Sequence, residues 1–173
     1  MAKAVSNSSP LIHLAAIGSF GLLREFFDDI MVPPAVWHEV VEVGQGRPGA
    51  AEVEQAVREG WLRVQSLAND ALAKSLKRGL DDGEAEAIAL AVQEKPDLVL
   101  LDESEARKVA GVLGLSKTGV IGLLIRAKQV GKVASLKERL DRLRSDGGFW
   151  IDDSLYRAAL QAVGETIPKP SGL

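Results

Sequence analysis

Leu98-Val99-Leu100-Leu101 is an unbroken apolar run, closed by a Pro96-Asp97 turn on one side and by Asp102 on the other. A short run without polar residues suits a parallel strand buried on both faces. The rest of the chain alternates around it. Residues 4–6 read as a short strand that leads into a helix. Ser9 is a candidate cap for that helix, with Pro10 at its first position, where a missing N–H costs nothing. Leu11, Leu14 and Ala15 recur on one helical face. Gly18 breaks the pattern, and residues 20–27 read as a second helix. Residues 30–32 read as a strand stopped by Pro33-Pro34, followed by a helix carrying Val36, Trp37, Val40 and Val41.

Residues 44–49 form a loop rich in Gly and Pro. Residues 50–59 are expected to be helical and 61–67 to form a strand. Asp81 and Asp82 open a long helix whose Ala85, Ile88, Ala89 and Val92 face inward, its alanines small enough to lie close to a sheet. Residues 103–113 are expected to be helical, 115–116 to form a short last strand, and three helices to follow near 119–130, 135–145 and 152–163. Strands alternating with helices imply an α/β chain, a three-layer α/β/α fold with a mostly parallel four- or five-stranded sheet. No internal repeat or interdomain linker is visible, so one domain over 1–165 and a loose tail over 166–173 are expected.

The 173 residues suffice for one ordinary domain with a sizeable core. Apolar residues make up 46% and charged residues 26%, which argues against wholesale disorder. No apolar run approaches the ~20 residues that cross a membrane, and no secretory signal is evident. The chain has no cysteine, so disulfides and thiolate metal sites are excluded and a cytoplasmic location is compatible. Charge is distributed unevenly. Residues 25–103 hold 17 acids against 7 Lys and Arg, whereas residues 105–144 hold 10 Lys and Arg against 3 acids. An acidic centre beside a basic segment suits a metal and a polyanion; two solvated faces of opposite bias would look the same.

Asn7, Glu39, Glu84 and Asp102 stand beside expected strand ends or on the helices that follow. Ligands of open α/β sheets bind outside the carboxyl ends of strands. Oxygen donors gathered there would suit Mg²⁺ or Mn²⁺. Read singly, each has a plainer role: Asn7 a turn residue, Glu84 an acid favoured in a first helical turn, Asp102 a helix cap, Glu39 a solvated helix residue. His38-Glu39-Val40-Val41-Glu42 lacks the second histidine of a zinc-protease helix. His13 and His38 read as partly buried helix residues, and Trp37, Trp61 and Trp150 as core or interface anchors. Gly119 and Gly122 read as sites of close packing.

The order and spacing of five stretches resemble the PIN-domain family. They are Val5-Ser6-Asn7-Ser8-Ser9-Pro10-Leu11-Ile12, Val32-Pro33-Pro34-Ala35-Val36-Trp37-His38-Glu39-Val40, Leu80-Asp81-Asp82-Gly83-Glu84-Ala85-Glu86-Ala87-Ile88-Ala89-Leu90-Ala91, Leu100-Leu101-Asp102, and Lys117-Thr118-Gly119-Val120-Ile121-Gly122-Leu123-Leu124. The resemblance implies an Mg²⁺- or Mn²⁺-dependent endoribonuclease, in some members the toxin of a toxin–antitoxin pair, with an RNA substrate, an antitoxin partner and a homodimer. Carried over by position, it implies Glu39, Glu84 and Asp102 as catalytic acids, and Asn7 and Glu105 as further metal ligands. It also places the polar Thr118 at the pocket. Arg107, Lys108 and Lys117 are basic residues suited to the RNA backbone, or to a solvated face. Asn7 stands where the family usually has Asp, and its amide brings no negative charge. The alternative is a PIN-like module that binds nucleic acid or protein with weak or absent catalysis.

Overall fold

A computed structural model describes residues 2–167; most of the expected loose tail lies outside them. The chain divides into two compact units, Met1–Val120 and Ile121–Leu173.

The first unit is built on five strands, β1 (Ala2–Ser6), β2 (Phe27–Val32), β3 (Leu62–Val64), β4 (Leu98–Leu100) and β5 (Lys117–Thr118). They pair in the order β3-β2-β1-β4-β5, every pair parallel. Helices cover the sheet in a three-layer α/β/α arrangement. They are α1 (Ser8–Ala16), α2 (Leu22–Phe26), α3 (Pro34–Trp37), α4 (Ala50–Glu59), α5 (Ala71–Leu76), α6 (Asp82–Glu94) and α7 (Ser104–Val112). The strand order reverses at β1. Successive strands run outward from it on one side through β2 and β3, and on the other through β4 and β5. Crossover connections are right-handed, so those on the two sides of this point cover opposite faces and leave a crevice at the strand ends.

Val5 of β1 pairs with Met31 and with Val99, and all three are buried. With Ala87, Ile88, Leu90 and Ala91 of α6 and Ala106 and Ala110 of α7 they form one apolar cluster. The alanines let α6 lie close to the sheet, as expected. Val92 is the exception, at 39% exposed. α5, which has no clear periodicity in the sequence, packs on α6.

Other boundaries differ from the sequence reading: β3 stops at Val64 instead of running to residue 67, and α2 starts at Leu22 instead of residue 20. β2 begins at Phe27, because Ala2 pairs with Phe27 and pulls it out of the expected helix. The last strand falls at Lys117–Thr118 rather than at 115–116, since Leu115 donates its N–H to Ala110 O (2.9 Å) and packs on the apolar cluster while still leaving α7. The helix expected after Pro33-Pro34 widens into a π-helical segment, His38–Glu42.

The second unit holds most of α8 (Val120–Gln129), with α9 (Leu136–Ser145) and α10 (Asp153–Ala162). Leu136, Leu140 and Leu143 give α9 a buried stripe. The Glu165 carboxylate accepts from the N–H groups of Leu136 and Lys137 (2.6 and 3.1 Å), satisfying two donors that a helix start leaves open. Asp141 accepts from Lys137 Nζ and Tyr156 Oη (2.7 and 2.8 Å), and the Arg144 guanidinium lies 4.3 Å from the Tyr156 ring centre. Trp150 is 80% exposed and is no core anchor, unlike the buried Trp61, which stacks near Phe20. Among the described residues no helix is long and apolar enough to cross a membrane.

Candidate functional site

β1 ends at Ser6 and α1 starts at Ser8, so Asn7 is the cap of α1 and Pro10 its third residue. This differs from the expectation of Ser9 as cap and Pro10 in first place. A capping Asn accepts from the second or third N–H of its helix. Pro10 has none, and Asn7 makes no side-chain cap bond. Its Oδ1 is instead buried without a hydrogen-bond partner. Such a group costs about 1–3 kcal/mol and calls for an explanation. The Asn7 N–H donates to Leu100 O (3.1 Å), which ties the residue to the end of β4.

Gly83, the second residue of α6, shows where that oxygen lies. A β-carbon on Gly83 would sit 3.0 Å from Asn7 Oδ1, 3.3 Å from Glu39 Oε2 and 3.6 Å from Asp81 Oδ1. Glu39 comes from the π-helical segment, where Val43 N–H donates to His38 O (2.8 Å) five residues back. Gly44 permits that wide turn, because a β-carbon there would fall on the Val40 carbonyl oxygen. π-Turns occur often at functional sites. Ser8 Oγ donates to Glu39 Oε2 (2.6 Å). Glu39, Asp81 and Gly83 line an open cleft of ≈ 720 Å³, with Pro34, Ala35, Val43 and Asp82 also on its walls. That volume falls in the range of ordinary ligand sites.

Glu84 and Asp81 form a reciprocal cap at the start of α6. Glu84 N–H donates to Asp81 Oδ1 (2.8 Å), and Asp81 N–H donates to Glu84 Oε1 (3.1 Å). Glu84 is buried. Burial is the largest reason its carboxyl is raised above the ordinary carboxylate range, opposed by the Asp81 N–H bond and helped by the charges of Asp81 and Glu103.

Asp102 lies two residues beyond β4, its side chain 3% exposed. Oδ2 accepts from Ser9 Oγ (2.8 Å) and Oδ1 from Val120 N–H (2.8 Å). His13 Nδ1 is 3.6 Å from Oδ2. Gly119 makes room for this carboxylate, since a β-carbon there would lie 2.6 Å from Oδ1. Asp102 does not cap α7; Glu103 holds that position.

The structure thus gathers Asn7 and Glu39 at Gly83, joins Glu84 to Asp81, and ties Asp102 to Ser9, the neighbour of Ser8. Glu105 lies apart, on the surface of α7, where it pairs with Lys108 (3.2 Å). Arg107 is exposed on the same helix. Lys117 is half-buried, its ammonium 3.2 Å from where Gly111 would carry a β-carbon. Thr118 is half-buried, its carbonyl accepting from Leu101 N–H. His38 is exposed and pairs with Glu42 (3.0 Å). The sequence reading did not assign a role in the site to Asp81, Ser8, Ser9 or His13. The Asp-x-x-Glu spacing of a reciprocal cap was the one local signal for Asp81.

A hard divalent cation fits the chemistry around Gly83. Asn7 Oδ1, Glu39 Oε2 and Asp81 Oδ1 are all oxygen acceptors, and one of them has no partner. Among the described residues no three His, Asp or Glu side chains form a group able to hold a metal ion. A metal held here would need the Asn7 amide and water to complete its set, as Mg²⁺ commonly retains.

No curated protein matches the chain. A family model described as a PIN domain matches residues 3–165. That match covers nearly the whole chain and both of its units, and the chain belongs to the PIN-domain family.

Proposed function

We propose that this chain is an endoribonuclease that depends on Mg²⁺ or Mn²⁺, and that it serves as the toxin of a toxin–antitoxin pair. The observation that carries the reading is the buried, unpartnered Asn7 Oδ1, which lies with Glu39 Oε2 around Gly83, a residue that lines an open cleft. These groups only accept hydrogen bonds, so they repel a bare phosphate and favour a cation between themselves and RNA. Asn7 and Glu39 would hold the ion, with Asp81 beside them. A bound divalent ion neutralises phosphate charge and makes water more acidic. Ser8 steadies Glu39. Glu84, joined to Asp81 in the reciprocal cap, would be a further catalytic acid and metal ligand. Asp102 would be a further catalytic acid and metal ligand, held in place by Ser9 Oγ and the Val120 N–H. Arg107, Lys108, Lys117 and Thr118 would guide the RNA backbone, and the C-terminal helices would build a homodimer.

The test is cleavage of RNA by purified protein with Mg²⁺ or Mn²⁺. Asp102→Asn is expected to abolish it, and a variant that cuts as well as the parent defeats the reading. One observation favours a second reading, a binding module without catalysis: the amide of Asn7 brings no charge to the site. Calorimetric titration separates the two. Heat of Mn²⁺ uptake supports the nuclease, and its absence at millimolar ion supports the module.

A further inference from the structure

We infer that the adjacent serines Ser8 and Ser9 are positioning residues, each holding a different carboxylate of the site: Ser8 holds Glu39 and Ser9 holds Asp102. Their role in metal uptake rests on the ribonuclease reading; the contacts themselves do not. Ser8 Oγ donates to Glu39 Oε2 at 2.6 Å and Ser9 Oγ to Asp102 Oδ2 at 2.8 Å. Both are hydrogen bonds to charged acceptors, the short and strong kind.

The topology explains why neighbours in sequence can do this. β1 is the central strand, flanked by β2 and β4. Glu39 follows β2 in the chain, and Asp102 follows β4. Successive residues of a helix project about 100° apart, so two hydroxyls in its first turn reach to different sides. A helix that starts at the end of β1 therefore spans both neighbouring strands with consecutive side chains.

His13 completes the Ser9 arm. A serine hydroxyl carries one hydrogen, and here it goes to Asp102, which as a carboxylate only accepts. The 2.9 Å contact between Ser9 Oγ and His13 Nδ1 must then be donated by the imidazole N–H. This fixes the tautomer and gives a directed chain from His13 through Ser9 to Asp102. It also excludes a nucleophilic serine, whose hydroxyl would have to donate to the imidazole.

The Ser8 arm matters for a different reason. Glu39 is exposed on its π-helical turn, and its long side chain is otherwise free to sample several rotamers. Ser8 is buried and fixed at the first position of α1, so it offers Glu39 one anchored donor.

Carbon-13 NMR of the side-chain carboxyls in the metal-free protein tests the contacts directly. Ser8→Ala is expected to shift the Glu39 signal and leave Asp102 in place. Ser9→Ala should do the reverse, and Ser9→Thr, which keeps the hydroxyl, should return the parental Asp102 signal. Titration with Mn²⁺ then tests the purpose. Each alanine variant is expected to bind at least ~10-fold more weakly, the usual cost of losing a partner behind a metal ligand. Carboxyl signals that do not follow this crossed pattern overturn the proposal, as do alanine variants that take up Mn²⁺ like the parent. If the parent itself takes up no Mn²⁺, the ribonuclease reading falls and the carboxyl signals alone decide.

Discussion

The Oδ1 atom of Asn7 lies 3.0 Å from the point where a β-carbon on Gly83 would begin. Gly83→Ala would put a methyl group among the oxygens of Asn7, Glu39 and Asp81. Alanine is favoured over glycine inside a helix by about 1 kcal/mol, which offsets part of the crowding. The variant is expected to fold with stability near the parent's, by urea denaturation, and to lose both Mn²⁺ uptake and RNA cleavage.

Asn7→Asp supplies the charge that the amide lacks. Without metal, a buried carboxylate would face the oxygens of Glu39 and Asp81, and the protein should lose about 1–3 kcal/mol or more. Mn²⁺ at about 100 times its Kd restores ~2.7 kcal/mol through binding to the folded state alone. Thermal melts with and without Mn²⁺ should therefore diverge more for Asn7→Asp than for the parent. Cleavage is expected to rise by about tenfold, equivalent to ~1.4 kcal/mol in the barrier.

Glu84 gives a pH signature. Burial raises its carboxyl in the folded protein above the ordinary value of 4.5. The folded state then binds more protons than the unfolded chain between the two values, so this group lowers stability as pH rises through that window. Below the window the effect is absent, and above it the full cost is present. Glu84→Gln keeps an oxygen to accept from Asp81 N–H and removes the charge. Urea denaturation from pH 4 to 8 should show a flatter profile for the variant and equal or greater stability at pH 7. The same variant should lose cleavage if Glu84 works as an acid.

Gly44→Ala probes the wide turn that carries Glu39. Its β-carbon would fall on the Val40 carbonyl oxygen, and that backbone cannot yield without rebuilding the turn. A loss of about 1–3 kcal/mol is expected from the overpacking, read from the melting temperature. Mn²⁺ affinity should fall with it, because Glu39 would leave Ser8.

The parallel sheet was legible because buried strands are short, apolar and separated by helical periodicity. Leu98–Leu100 is the clearest case. The start of β2 was not, because Phe27 reads equally well as the end of a helix and only pairing with Ala2 decides it. α5 was missed because six residues give too little periodicity to detect. In the proposed site, Asn7, Glu39, Glu84 and Asp102 were singled out from their places beside expected strand ends and from the family resemblance. Their actual partners were not, since Glu39 meets Ser8 and Asp102 meets Ser9 across 31 and 93 residues. Local spacing says nothing about such pairs. Glu105 shows the converse. It lies near Asp102 in sequence, yet its helix turns it toward Lys108 and solvent.

Pro10 is not one of the residues that line the cleft, yet it bears on how Asn7 is held. With an ordinary residue in its place, α1 could draw Asn7 into closing its own first turn. A ring nitrogen without hydrogen removes one of the two N–H groups that could close it, and the Asn7 oxygen is left buried with no partner. The helix start thus stays incomplete within the fold, and part of the reason is written three residues away from the atom left open.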